Sequence, residues 1–167
     1  MKRIFKVTFL ALAATFALQS CGGKTEKTEE TVTEELYPEA EETVSNELTI
    51  DSNDAMQYSS NELRAKVGEI KLTLNHTGKM EKISMGHNLV ILKMGTDINA
   101  FGAKAADAKD TDYIPASEES TIIAHTKLLG GGESDTITFT ISEPGTYDFI
   151  CSFPGHLALM KGKLIVE

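Results

Sequence analysis

Between Cys151 and Met160 the chain reads CSFPGHLALM, which puts a thiol, an imidazole and a thioether into one turn-sized segment. Thiolate and thioether are soft donors that favour copper, and imidazole suits copper as well. A trigonal site of two His and one Cys with a long, weak axial Met is the arrangement of blue-copper electron-transfer centres. The segment lacks only a second His, and Gly86-His87-Asn88 offers one from elsewhere in the chain. Taken singly these residues say little: Met160 alone reads as core, and a lone His87 ahead of an apolar run reads as structural. Their weight lies in the combination and in the spacing.

Strands and a turn must bring them together. Cys151 follows Tyr147-Asp-Phe-Ile150 and so ends a strand. Pro154-Gly155 then forces a turn, because proline fixes φ and glycine permits φ > 0. The turn folds His156 back towards Cys151, and Met160 returns beneath as the chain enters a last strand. His87 precedes Leu89-Val-Ile-Leu92 and therefore starts a strand. The side-chain amide of Asn88 is placed to tie the His87 loop to the Cys151 loop, and such hydrogen bonds orient ligands and tune a metal.

The rest of the domain alternates with period two. Residues 47–51, 69–74, 136–141 and 163–166 read as half-buried strands, and 88–92, 121–124 and 146–151 as further strands rich in β-branched or aromatic residues. Thr77-Gly78, Gly130-Gly-Gly132 and Pro144-Gly145 supply the turns. The pattern predicts an all-β antiparallel sandwich with Greek-key connections. One excursion, Lys93 to Ser120, interrupts it. Within it Asp97 to Ala108 predicts a short helix that Gly102 weakens.

The first residues read as processing and tether. Lys2, Arg3 and Lys6 precede the apolar run Val7–Leu18, which is too short to span a membrane stably. Leu18-Gln-Ser-Cys21 resembles the cleavage site of a bacterial lipoprotein, with Cys21 lipidated. The domain expectation is therefore 1–20 signal peptide, 21–46 lipidated Cys and tether, and 47–167 the folded domain. Cys151 is then a lone thiol in an exported protein, which calls for a role such as metal ligation. Residues 22–46 carry eight Glu against two Lys and too few large apolar residues to fold. A coil of 25 residues has an end-to-end distance of roughly 25–30 Å. The folded domain carries 17 acidic and 11 basic residues, and this balance excludes nucleic-acid binding.

Three segments carry a family resemblance. Met85-Gly-His-Asn-Leu-Val90, Ile123-Ala-His-Thr-Lys-Leu-Leu-Gly130 and Cys151 to Gly162 resemble the azurins, bacterial blue-copper proteins of the cupredoxin family. The resemblance implies a cupredoxin-like β-sandwich or barrel holding one type 1 copper ion. It implies His87, Cys151 and His156 as in-plane ligands, Met160 as weak axial ligand and the Gly86 carbonyl as a distant second. It further implies that Asn88, Ser152 and Phe153 flank the site, and that the edge of His156 is the route for electrons. The docking surface would comprise Met56, Met85, Gly86, Phe153, Gly155, Ala158 and Leu159. Two positions where azurins carry a disulfide are Leu48 and Val67, with apolar packing expected instead. Leu89 stands where many azurins have a buried Trp. His76 matches a partly buried azurin His with two open readings, a titrating residue that adjusts the potential or a packing residue. His125 is given no role.

The reading that follows is a membrane-anchored single-electron carrier, not an enzyme. Its partners would be redox proteins of cytochrome or copper reductase/oxidase type, met in the periplasm or outside the cell. The alternative is a copper-binding module for storage, delivery or protection. A metal-free envelope lipoprotein is a further rival. A multicopper or nitrite-reductase-like enzyme is disfavoured, because four His leave no separate three-His site once His87 and His156 are used.

Overall fold

The computed structural model describes residues 44–167, so Cys21, the signal segment and most of the acidic tether lie outside the described residues. Among the described residues nine strands build two facing sheets. The first sheet joins β1 (Glu47–Asn53), β2 (Gln57–Tyr58), β4 (Gly68–His76) and β7 (Ser134–Ile141) in the order β2-β1-β4-β7. The second joins β3 (Glu62–Ala65), β5 (Val90–Leu92), β6 (Ile122–His125), β8 (Gly145–Ile150) and β9 (Lys161–Val166) in the order β3-β9-β8-β5-β6. The architecture is the all-β sandwich with one helical excursion that the periodicity predicts.

The sheets are mixed, however, where an antiparallel sandwich was expected. β1 runs parallel to β4, and β3 runs parallel to β9. Period-two alternation reports which face a residue takes but not the direction of its neighbour strand, so this pairing is settled only by the long connections.

Alternation places the core. On β4, Ile70, Leu72, Leu74 and His76 point inward, and on β1 Ile50 and Ser52 do. These meet Phe149, Leu164, Leu89 and Ile91 of the opposite layer. β5 breaks the alternation because Val90, Ile91 and Leu92 are all buried. Both of its faces are covered, the outer one by the helix Ile98–Ala106 (α2, following a single turn α1, Lys82–Met85). A strand buried on both faces reads as a continuous apolar run.

Asp97 caps α2, accepting from the N–H groups of Asn99 at 2.9 Å and Ala100 at 3.1 Å. Phe101 and Ala105 pack with Val90, Leu92 and Ile150, and Leu157 of the CSFPGHLALM segment joins that cluster. Gly102, which costs the helix propensity, allows this approach: a Cβ there would lie 2.5 Å from Leu157 Cδ2. Leu89 fills its position fully buried in the core. Leu48 also packs against the core, but Val67 is 43 % exposed, so apolar packing replaces only half of the expected staple.

The two ends of the sandwich differ. At one, the Asn46 side chain accepts from the Lys66 N–H and donates to the Glu69 carbonyl, while the Val67 N–H donates to the Glu167 carbonyl. At the other, β1 finishes at Asn53, β4 at His76 and β8 at Ile150, and the loops that follow converge.

Candidate metal centre

The converging loops put the candidate donors side by side. His87 is held between α1 and β5 by a two-way backbone bridge to Leu129, with N···O distances of 3.0 and 2.8 Å. Cys151 continues β8, and its N–H donates to the Met160 carbonyl at 2.9 Å. Gly155, at φ 84°, turns the chain, and His156 opens a short 3-10 turn whose carbonyl accepts from the N–H of Met160 at 2.8 Å. His87, Cys151, His156 and Met160 are all buried.

The three donor atoms lie within 4.8 Å of one another. His87 Nδ1 and His156 Nδ1 are 3.2 Å apart, and Cys151 Sγ is 4.0 Å from the first and 3.7 Å from the second. Trigonal ligands with metal–N bonds near 2.0 Å and a metal–S bond near 2.3 Å stand about 3.5–3.8 Å apart. The tautomer agrees with ligation. His87 Nε2 lies 2.9 Å from the Asn53 carbonyl oxygen, so it carries the proton and leaves a lone pair on Nδ1 facing the other two donors.

Burial sets the charge state. It pushes His87 down to about 4, partly offset by the Asn53 carbonyl, and lowers His156 as well. It pushes the Cys151 thiol up to about 11, against an opposing effect of the Asn88 and Phe153 backbone. Near neutral pH the imidazoles are therefore neutral, as ligation requires, and a metal must displace the thiol proton.

Asn88 and Ser152 lock the two loops together. Asn88 Oδ1 accepts from the Ser152 N–H at 2.9 Å, and Nδ2 donates to Ser152 Oγ at 2.8 Å. Nδ2 also reaches the Asp112 carbonyl at 3.4 Å. The Phe153 ring packs on His156 at a centroid distance of 4.6 Å and meets Tyr113 edge-on at 5.0 Å.

At the surface Gly155, Ala158 and Leu159 are exposed, Leu159 by 62 %, and Met56, Met85 and Phe153 are half-buried. Gly86 is buried and contributes no surface. His156 itself is only 3 % exposed, so an electron route through it reaches solvent by a narrow edge. His76 is buried, with Nε2 3.2 Å from Asp54 Oδ1 and its ring 4.5 Å from that of His87. His125 lies exposed.

Two contributors have no signature in the sequence. Asn53 acts through its carbonyl, and Tyr58 donates its hydroxyl to the Asn88 carbonyl at 2.5 Å.

Comparison with known proteins agrees with this geometry. The family model for copper-binding proteins of the plastocyanin/azurin family matches residues 44–167. Azurin-2 of Alcaligenes xylosoxydans xylosoxydans is 43 % identical over 127 residues, which cover 71 % of this chain and 95 % of that protein. Outer membrane protein H.8 of Neisseria gonorrhoeae is 42 % identical over 120 residues, covering 70 % of this chain and 64 % of that one. Among solved structures, the crystal structure of dithionite-reduced auracyanin from Roseiflexus castenholzii superposes with a TM-score of 0.66 at 38 % identity, covering 74 % of this chain and 98 % of that one. With a buried His-Cys-His cluster suited to one type 1 copper, this chain belongs to the plastocyanin/azurin family of copper-binding proteins.

Proposed function

We propose that the protein is a membrane-anchored, exported single-electron carrier whose copper would be held by His87, Cys151 and His156, with Met160 and the Gly86 carbonyl as weaker contacts. The single observation that carries the reading is the buried cluster of three donors within 4.8 Å, already assembled in the folded chain. When bound, the copper supplies a Cu(I)/Cu(II) couple. The chain's own contribution is to hold both imidazoles neutral, to keep water from the sulfur, and to fix the ligand positions so that little rearranges when the charge changes. Asn88 and Ser152 provide that rigidity across the two loops. The exposed Gly155, Ala158 and Leu159 form an apolar rim suited to brief contact with a redox protein.

Export and anchoring rest on Leu18-Gln-Ser-Cys21 and the acidic segment after it. The relative named outer membrane protein H.8 supports an envelope location. Copper titration of the domain spanning residues 44–167 tests the central reading. Addition of Cu(II) should produce an intense blue thiolate-to-copper absorption that dithionite bleaches and air restores, and Cys151→Ser should abolish it. Absence of the band with Cys151 reduced would sink the proposal.

A further inference from the structure

The two imidazoles of the site are oriented in different ways. His87 has the Asn53 carbonyl on its Nε2 at 2.9 Å, which fixes the plane of its ring. His156 turns Nδ1 towards Cys151 and His87, and among the described residues its ring is oriented by packing instead. Its backbone bonds, to the Phe153 carbonyl and from the Met160 N–H, set where its Cα sits but not how the ring rotates. Phe153 lies against that ring at a centroid distance of 4.6 Å with 38° between the planes. Phe153 is itself half-buried, and Tyr113 meets it edge-on at 5.0 Å and 68°.

Tyr113 reaches this position through a strained turn. Asp112 and Tyr113 are consecutive non-glycine residues in the left-handed region, at φ 53° and 64°. A bulky side chain adopts that conformation rarely, and it persists only where the neighbours impose it. Here they do. The Tyr113 N–H donates to the Ala108 carbonyl at 2.9 Å, and the Thr111 hydroxyl donates to the Ile114 carbonyl at 2.7 Å. The Asp112 carbonyl accepts from Asn88 Nδ2 at 3.4 Å, so the same turn is tied to the loop that carries His87.

We propose that Tyr113 is a positioning residue of the metal centre: its ring backs Phe153, which keeps the His156 imidazole in one orientation in both oxidation states. This deepens the copper-carrier reading and rests on it. An electron moves faster than heavy atoms do, so every ligand that must shift between the two states adds to the barrier. A hydrogen bond limits that shift for His87, and a wall of two rings limits it for His156. The helical excursion between β5 and β6 thereby serves the site, because it delivers the strained turn. An edge-on ring pair is favourable in itself, so the brace needs the aromatic ring of Tyr113 and not its hydroxyl.

The test compares Tyr113→Leu, which removes the ring, with Tyr113→Phe, which keeps it. In the copper-free protein, NMR relaxation should report lower order for the rings of Phe153 and His156 in Tyr113→Leu, with the His87 ring as in the parent. In the copper-loaded protein, Tyr113→Leu should be oxidised several-fold more slowly at equal driving force. The slowing should be alike with hexacyanoferrate(III), an anion, and tris(phenanthroline)cobalt(III), a cation, since an internal brace is indifferent to the charge of the oxidant. Tyr113→Phe should match the parent in ring order and in rate. Parental ring order or parental rates in Tyr113→Leu overturn the proposal, even if thermal stability falls, because the tyrosine is then merely structural. Slowing with one oxidant only overturns it too. Should Tyr113→Leu fail to fold, Phe153→Leu removes the braced ring instead and must give the same loss of His156 order and the same slowing; parental values there overturn the proposal. If the parent protein itself gives no blue band, the copper reading fails first, while ring order in the copper-free protein still reports the brace.

Discussion

His87 and Cys151 are both uncharged near neutral pH, because the same burial disfavours an imidazolium and a thiolate. The consequences for stability have opposite signs. A buried His with a pKa of about 4 against 6.5 when unfolded leaves the unfolded chain holding more protons between those values. The copper-free domain therefore gains stability as pH rises from 4 to 6.5. A thiol at about 11 against 9.0 leaves the unfolded chain holding fewer protons between pH 9 and 11, so stability falls through that window. Urea unfolding across pH should show this plateau, and His87→Gln should remove the part of the acid limb that belongs to His87. A limb of the same slope in the variant would show that other groups cause it. The donor types at the site were legible in the sequence because thiol, imidazole and thioether are rare and chemically distinct. The carbonyl of Asn53 was not, since every residue has one, and neither was the Tyr58 hydroxyl, whose partner is 30 residues away.

β9 lies in the second sheet between β3 and β8, and Phe149 of β8 and Asn61 just before β3 both close on Gly162. A Cβ at Gly162 would lie 2.2 Å from Phe149 Cζ and 2.5 Å from the Asn61 carbonyl oxygen. Because one of these is backbone, Gly162→Ala should destabilise the domain by about 1–3 kcal/mol through overpacking. Gly102→Ala, where the near atom is the mobile Cδ2 of Leu157, should change it far less, since helix propensity offsets part of the cost. Denaturant titration of the two variants distinguishes these outcomes, and equal losses would refute the distinction. The long strands were legible because their alternation persists over six or more residues. β2 and β3 were not, as two and four residues are too few to show a period. The α1 turn was likewise hidden: none of its four residues is buried, so no apolar face announces it.

At the scale of the whole molecule, the proposed lipid anchor at Cys21 and the acidic segment after it would set where the domain works. Cys21→Ser in the full-length chain should shift the protein from the membrane to the soluble fraction while leaving the copper spectrum unchanged. Retention in the membrane fraction would remove the lipid anchor from the proposal. β1 begins beside the Asn46 clamp and the Glu167 carbonyl, and it ends at the carbonyl that orients His87. Seven extended residues separate these poles by about 20 Å. Residues 46 and 167 thus leave the sandwich at the pole away from the metal loops. For anyone wiring the protein to an electrode, or fusing it to an enzyme, a linker at either of these ends keeps the Leu159 rim turned outward.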